Sequence, residues 1–221
     1  MSRHFLNNSP IKNIVFDFGG VLLDIDFSLT YRELSHLLGV EFYPEKIFDE
    51  AQQVLIDFEI GKMNKETFIW SIQRFSQKEV PHGFDIIKAW NHMLLGWRPE
   101  KLQYLAQLKK NYNLYLLSNT NEIHIEWVHR DLLKNHAITS FEEVYFDKVY
   151  YSHQIGMRKP DSHIYQHVLD DANIRPEQTL FVDDLSDNVA SAVAIGYQGY
   201  HHNPQDDLIV EMDKILCLPI E

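Results

Sequence analysis

Ile14-Val15-Phe16-Asp17-Phe18-Gly19-Gly20 is a short apolar run that reaches a carboxylate and is stopped by two glycines. Such a run suits a strand buried on both faces of a parallel sheet. Similar runs recur at Leu114-Tyr115-Leu116-Leu117 and Thr179-Leu180-Phe181-Val182, with weaker ones at Lys148–Tyr151 and Gly199–His201. Helical patterns separate them. Pro99 opens one at an N1-like position, with Leu102, Leu105 and Leu108 on one face. Glu122–Lys134, Asp161–Asp171 and Ser186–Ile195 supply others. Strands alternating with helices predict βαβ units, hence an α/β fold with a parallel sheet between two helical layers.

One stretch breaks the alternation. From about Ile25 to Gly96 no strong strand signal appears, and four helical segments follow one another: Thr30–Leu38 stopped by Gly39, Pro44–Phe58, Asn64–Gln77 with Asn64 placed to cap, and Phe84–Leu95 stopped by Gly96. The expected organisation is a core made of 1–24 and 97–221, with residues 25–96 as an inserted helical cap, a plausible lid of the kind that excludes water from a reaction. Asp24 and Asp26, at its entrance, are expected to serve as helix caps rather than as a catalytic acid or substrate contacts.

The chain has 221 residues, 45% hydrophobic and 24% charged, with 20 Lys and Arg against 32 Asp and Glu and a formal net charge of −12. At about 150 residues per domain this is one large or two small domains. The acidity argues against a nucleic-acid partner, which needs basic surface, and against docking on an anionic membrane. No apolar run approaches the roughly 20 residues of a membrane span. Met1–Pro10 has no apolar stretch of signal-peptide kind, and the single cysteine, Cys217, permits no internal disulfide. A cytoplasmic location is expected. Small anionic substrates stay open, because a bound cation can reverse the local field.

The three strong strands end in polar residues: Asp17, then Ser118-Asn119-Thr120, then Asp183-Asp184. In open parallel sheets the carboxyl ends of the strands line the ligand crevice. Three carboxylates gathered there repel one another, and a hard cation such as Mg²⁺ relieves them. Gly156-Met157-Arg158-Lys159-Pro160 offers an amino group from a neighbouring loop.

Asp17-Phe18-Gly19-Gly20-Val21, Leu116-Leu117-Ser118-Asn119, Arg158-Lys159-Pro160 and Phe181-Val182-Asp183-Asp184, in this order and each after an expected strand, resemble the four motifs of the haloacid dehalogenase superfamily. The resemblance runs from Ile14 to about Gly196. It implies a Rossmann-like doubly wound core with a helical cap, and a Mg²⁺-dependent phosphatase for small phosphorylated metabolites. It implies Asp17 as the nucleophile that becomes phosphorylated, Ser118 and Asn119 as substrate contacts, and Lys159 as the cation for Asp17 and the phosphoryl oxygens. Mg²⁺ would be held by Asp17, the Gly19 carbonyl and Asp184, with Asp183 on a metal-bound water and Asn188 orienting the cluster.

The departure is at Gly19, where most phosphatases of this family carry a second Asp as general acid, a role typically worth about 10²–10⁴-fold. Three explanations compete. The chain resembles the dehalogenases proper, which lack that Asp but use no Mg²⁺. Or it resembles phosphonatases, with Lys62 or Lys65 as the cap lysine. Or its leaving group needs little protonation, as with a sugar 1-phosphate. The third fits the stretch 17–27, Ser118-Asn119-Thr120-Asn121 and Gly156–Pro160, which resemble the bacterial subgroup that includes an α-glucose-1-phosphate phosphatase. A protein that keeps the site only to bind phospho-ligands is the alternative from another class. The histidine pair His163 and His167 shares a helical face without a third ligand and is expected to be solvated or partly packed, while His153 and Gln154 are placed to reach the crevice.

Overall fold

The computed structural model describes residues 4–5, 9–43 and 49–217. Its main sheet is built from β1 (His4–Phe5), β2 (Asn13–Phe16), β5 (Asn113–Ser118), β6 (Lys148–Tyr151), β7 (Thr179–Asp183) and β8 (Gln198–His201), in the order β1-β8-β7-β2-β5-β6. All neighbours are parallel except β1, which runs antiparallel on the edge. The expected α/β Rossmann-like architecture is present, with β1 as an additional strand ahead of the run at Ile14.

Strict alternation along the central strands explains why both faces are buried. Ile14, Phe16, Leu114, Leu116, Leu180 and Val182 point to one side, against α5 (Pro99–Leu108), α6 (Glu122–His136), α7 (Phe141–Tyr145) and α11 (Leu208–Leu216). Val15, Tyr115, Leu117 and Phe181 point to the other, against α9 (Ser162–Ala172) and α10 (Ser186–Ile195). A short α8 (Ser152–Ile155) follows β6. Each fully buried Leu, Ile or Phe contributes about 1.5–3 kcal/mol over its exposed state. The register aligns Asn13, Asn113 and Thr179 in one row at the start of the strands, where Asn113 donates to Asn13 and Asn13 to Thr179. The same register fixes which residues emerge together at the opposite ends.

The helical insertion contains α1 (Phe27–Leu38), α2 (Asp49–Glu59), α3 (Lys65–Gln73) and α4 (Gly83–Trp90). The start expected for the second of these, at Pro44, lies outside the described residues. The four helices pack on their own cluster, with Leu34, Phe58, Phe68, Ile86 and Trp90 at its centre; Ile123 joins it from α6. Asn64 caps α3, its side chain accepting from Thr67 N at 2.9 Å, and Gly39 ends α1 in the left-handed conformation.

The insertion differs from the sequence reading where it joins the core, and α3 stops at Gln73 instead of Gln77. The insertion is entered and left through a two-stranded antiparallel ribbon, β3 (Leu23–Ile25) and β4 (Leu94–Trp97), in which Leu23 faces Trp97 and Asp24 faces Gly96. And α4 stops at Trp90 instead of running to Leu95. The Thr30 hydroxyl donates to the carbonyls of Ala89 and Trp90 and accepts from Met93 N, which ends the helix and turns the chain into β4. Among the described residues no helix is long and apolar enough to cross a membrane.

Candidate active site

The site forms where the strands end. Asp17 follows β2 and its amide still donates to Val182 O at 2.8 Å, so its carboxylate emerges beside that of Asp183, the last residue of β7. The chain then closes a tight turn in which the amides of Leu22 and Leu23 both donate to Phe18 O. Gly20, at φ +78°, permits it: a Cβ there would lie 2.3 Å from Asp184 Oδ2. Ser118, the last residue of β5, is buried, and among the described residues its hydroxyl has no protein partner. Asp17, Ser118, Asp184 and Lys159 line one crevice of about 280 Å³, roofed by Tyr31, Leu55 and Met93 of the insertion.

Lys159 is only 2% exposed. Its ammonium donates to Asp17 Oδ1 at 2.5 Å and to Asp183 Oδ2 at 2.7 Å. Burial works against that charge, but the two carboxylates outweigh it and raise the lysine's pKa above its ordinary value. The loop carrying Lys159 is held by Asn119, whose amide group donates to Lys159 O and accepts from Lys159 N, both at 2.9 Å. Asn119, expected as a substrate contact, therefore has both ends of its amide engaged in positioning the lysine.

Burial pushes the Asp17 carboxyl up to about 7, with Lys159 opposing and Asp183 adding to the rise. Burial and the neighbouring Asp183 push Asp184 up to about 6. Asp183 is saturated by its surroundings: it accepts from Lys159, from Leu185 N at 2.8 Å and from Asn188, whose amide lies 2.9 and 3.1 Å from its two oxygens. One ammonium thus serves three crowded carboxylates, which present oxygen atoms within 4.8 Å of one another. Hard oxygen donors at this spacing, with too little positive charge to balance them, suit a small divalent cation. Asp17 and Asp184 have the oxygens to give it, whereas Asp183 does not have any to spare.

Residue 19 itself supplies no carboxyl group. A Cβ on Gly19 would lie 2.8 Å from Ile25 Cδ1, so an apolar side chain fills the adjacent space.

Asp17, Ser118, Asn119, Lys159, Asp183, Asp184, Asn188 and the Gly19 backbone all meet in this region. Other expectations resolve elsewhere. Asp26 caps α1 through Ser28 N at 2.9 Å, while Asp24 pairs with Arg98 and Lys101 instead of capping. His163 is exposed and bonded to Asp161. His153 does not reach the crevice: it stacks on Tyr151 and borders a separate cleft with Gly61 and Lys62, and Gln154 is exposed. Lys62 pairs with Asp57 and Lys65 with Glu126, so neither candidate cap lysine lines the crevice.

Sequence reasoning gave no role to three groups there. Arg158 bridges to Glu59 of the insertion at 2.6 Å. Asn121 caps α6 through His124 N and accepts from Trp90 Nε1 at 3.4 Å. His124 lines the crevice beside them. A signal existed for the last two, since a capped helix that starts at a strand end turns its first residues toward the crevice.

A profile of haloacid dehalogenase-like hydrolases matches residues 11–196. The D-ribitol-5-phosphate phosphatase of Bacteroides thetaiotaomicron is 31% identical over 93% of this chain and 98% of its own. A sesquiterpene phosphatase of Aspergillus oryzae is 28% identical over 87% of this chain and 90% of its own. A haloacid dehalogenase family enzyme from Bacteroides thetaiotaomicron superposes with a TM-score of 0.84 at 30% identity, covering 92% of this chain and 99% of that one. Its complex with magnesium and inorganic phosphate gives 0.78 at 31% identity, over 89% and 96%.

Proposed function

Since the chain belongs to the haloacid dehalogenase-like hydrolases, we propose that it is a Mg²⁺-dependent phosphatase acting on a small phosphorylated polyol or sugar. The observation that carries the reading is the buried Asp17–Lys159–Asp183 cluster, open on one side to a crevice with a serine hydroxyl that has no partner among the described residues. In this reading one Asp17 carboxylate oxygen attacks phosphorus and the ester oxygen departs with its electron pair. Water then cleaves the resulting acyl phosphate, releasing inorganic phosphate and restoring Asp17. Lys159 and the Ser118 hydroxyl bind the non-bridging oxygens, and Asn119 keeps the lysine in register with them. Asp17, Asp184 and the Gly19 carbonyl would hold Mg²⁺, and Asp183 would act through Asn188, Leu185 N and Lys159. Bound Mg²⁺ supplies charge that lets a carboxylate approach an anionic phosphate.

The ribitol-phosphate relative supports a hydroxylated leaving group. So do the polar groups Glu59, Asn121, His124 and Arg158 on the crevice wall. With Ile25 occupying the place beside Gly19, the leaving oxygen takes its proton from the substrate itself or from solvent, which favours an acidic leaving group such as a sugar 1-hydroxyl. The same wall is also apolar at Leu55, Met93 and Leu94, and a terpenoid phosphate is the second reading.

A panel of pentitol phosphates, sugar 1-phosphates, a prenyl phosphate and an aryl phosphate, each assayed for phosphate release with Mg²⁺ and with chelator, separates the two. The expected result is Mg²⁺-dependent release with kcat/KM highest on the hydroxylated esters. Highest kcat/KM on the prenyl ester sinks the polyol reading.

Gly20→Ala tests the metal assignment. Its methyl would sit against Asp184 Oδ2 and its backbone would be strained at φ +78°. The Mg²⁺ concentration for half-maximal rate is expected to rise by about 10–100-fold, the usual cost of disturbing a ligand's support. A titration indistinguishable from wild type removes Asp184 from the ligand set.

A further inference from the structure

His124 is buried, 8% exposed, at the start of α6. Its ring lies parallel to the Trp90 indole, with centroids 5.2 Å apart and planes 7° apart. Nδ1 is 2.8 Å from Asn91 Oδ1, an atom that can only accept, so Nδ1 carries the proton. Burial drives the imidazole's pKa down to about 3, which leaves the ring neutral at physiological pH. Nε2 is therefore a bare lone pair. Among the described residues no protein group donates to it, and it is not one of the polar atoms sealed away from solvent. The ring lines the same crevice as Asp17, Ser118 and Lys159.

Three residues hold this ring in place. Trp90 and Asn91 come from the insertion, and Asn121 ties both the Trp90 indole and the α6 terminus by its one oxygen. A polar atom so firmly placed, with no partner among the described residues, calls for a donor from outside. A neutral imidazole with Nε2 unprotonated cannot supply a proton to a leaving group, so it does not stand in for the acid absent at Gly19.

We propose that His124 is a specificity residue, its Nε2 accepting a hydrogen bond from a hydroxyl on the leaving group of the phosphate ester. The inference rests on the hydroxylated-substrate reading above and narrows it. The substrate carries a free hydroxyl beyond the ester oxygen, and the insertion reads it by presenting the ring through Trp90 and Asn91. Sites that hydrogen-bond a substrate hydroxyl discriminate strongly against analogues lacking it.

The test compares wild type, His124→Phe and His124→Gln on D-ribitol 5-phosphate, a sugar 1-phosphate and p-nitrophenyl phosphate, with thermal midpoints recorded for all three proteins. The phenyl ring keeps the stack on Trp90 and removes the acceptor. The Gln side chain returns an acceptor near the Nε2 position. For His124→Phe, kcat/KM on the better hydroxylated ester is expected to fall about 10- to 100-fold, mainly through KM, with the aryl ester within about threefold. His124→Gln is expected to recover most of the loss. Equal losses on all esters, or no loss on any, overturn the role of His124 and leave the polyol reading standing. A wild type that hydrolyses the aryl ester but neither hydroxylated one overturns both.

Discussion

Asp17→Asn is expected to abolish phosphate release on every ester, lowering kcat by more than about 10⁴-fold, as removal of a covalent nucleophile does. The amide oxygen cannot form the acyl phosphate. The substitution also tells an enzyme from a phospho-ligand-binding protein built on the same site, because only the enzyme loses its measured activity while ligand binding persists. Thermal unfolding is the needed control. Asp17 faces Asp183 and Asp184 across a buried space in which its own charge is disfavoured, so the variant's midpoint in chelator is expected to stand at or above that of wild type. A drop of several degrees would mean that the inactivity reports misfolding. Residual turnover at a tenth of wild type would rule Asp17 out as nucleophile.

Lys159→Met is expected to damage both activity and stability. Nζ is the one ammonium shared by Asp17 and Asp183, and the whole side chain is buried. Taking one partner from a buried ion pair costs about 3–5 kcal/mol, since the remaining charges stay uncompensated. A lower denaturation midpoint in chelator, partly restored by millimolar Mg²⁺, is the expected signature. On the rate, loss of a preorganised positive group beside the phosphoryl oxygens is expected to cost about 10²–10³ in kcat/KM. Lys159→Arg is no rescue, because the wider guanidinium has no room at a site 2% exposed. A Met variant with wild-type kinetics would place the phosphate elsewhere in the crevice.

The strands at 14, 114 and 179 were legible because each is a continuous apolar run buried on both faces, and their polar terminal residues then marked the site. The cap helices were legible from their caps: Asn64 and Gly39 act at the places their chemistry suggests. The ribbon of β3 and β4 was not. Leu23-Asp24-Ile25 is too short to show a period, and Leu94-Leu95-Gly96-Trp97 reads as the end of a helix until Thr30, far away in sequence, takes the last carbonyls of α4. Asn119 showed its residue type but not its task, because its partner is the backbone of a loop forty positions on. His124 was hidden for a related reason. Its proton location, and hence its chemistry, depends on Asn91, which no local pattern connects to it.

The ribbon has a consequence for how the molecule could diversify. By holding Leu23 opposite Trp97 it brings the two ends of the insertion together, whatever lies between them. The entropic cost of closing such a loop grows only with the logarithm of its length, about 0.6 kcal/mol per doubling. Substrate choice and phosphoryl chemistry are in this sense separately inheritable: the roof can lengthen, shrink or be exchanged at its stem, and the strand ends below need not register the change.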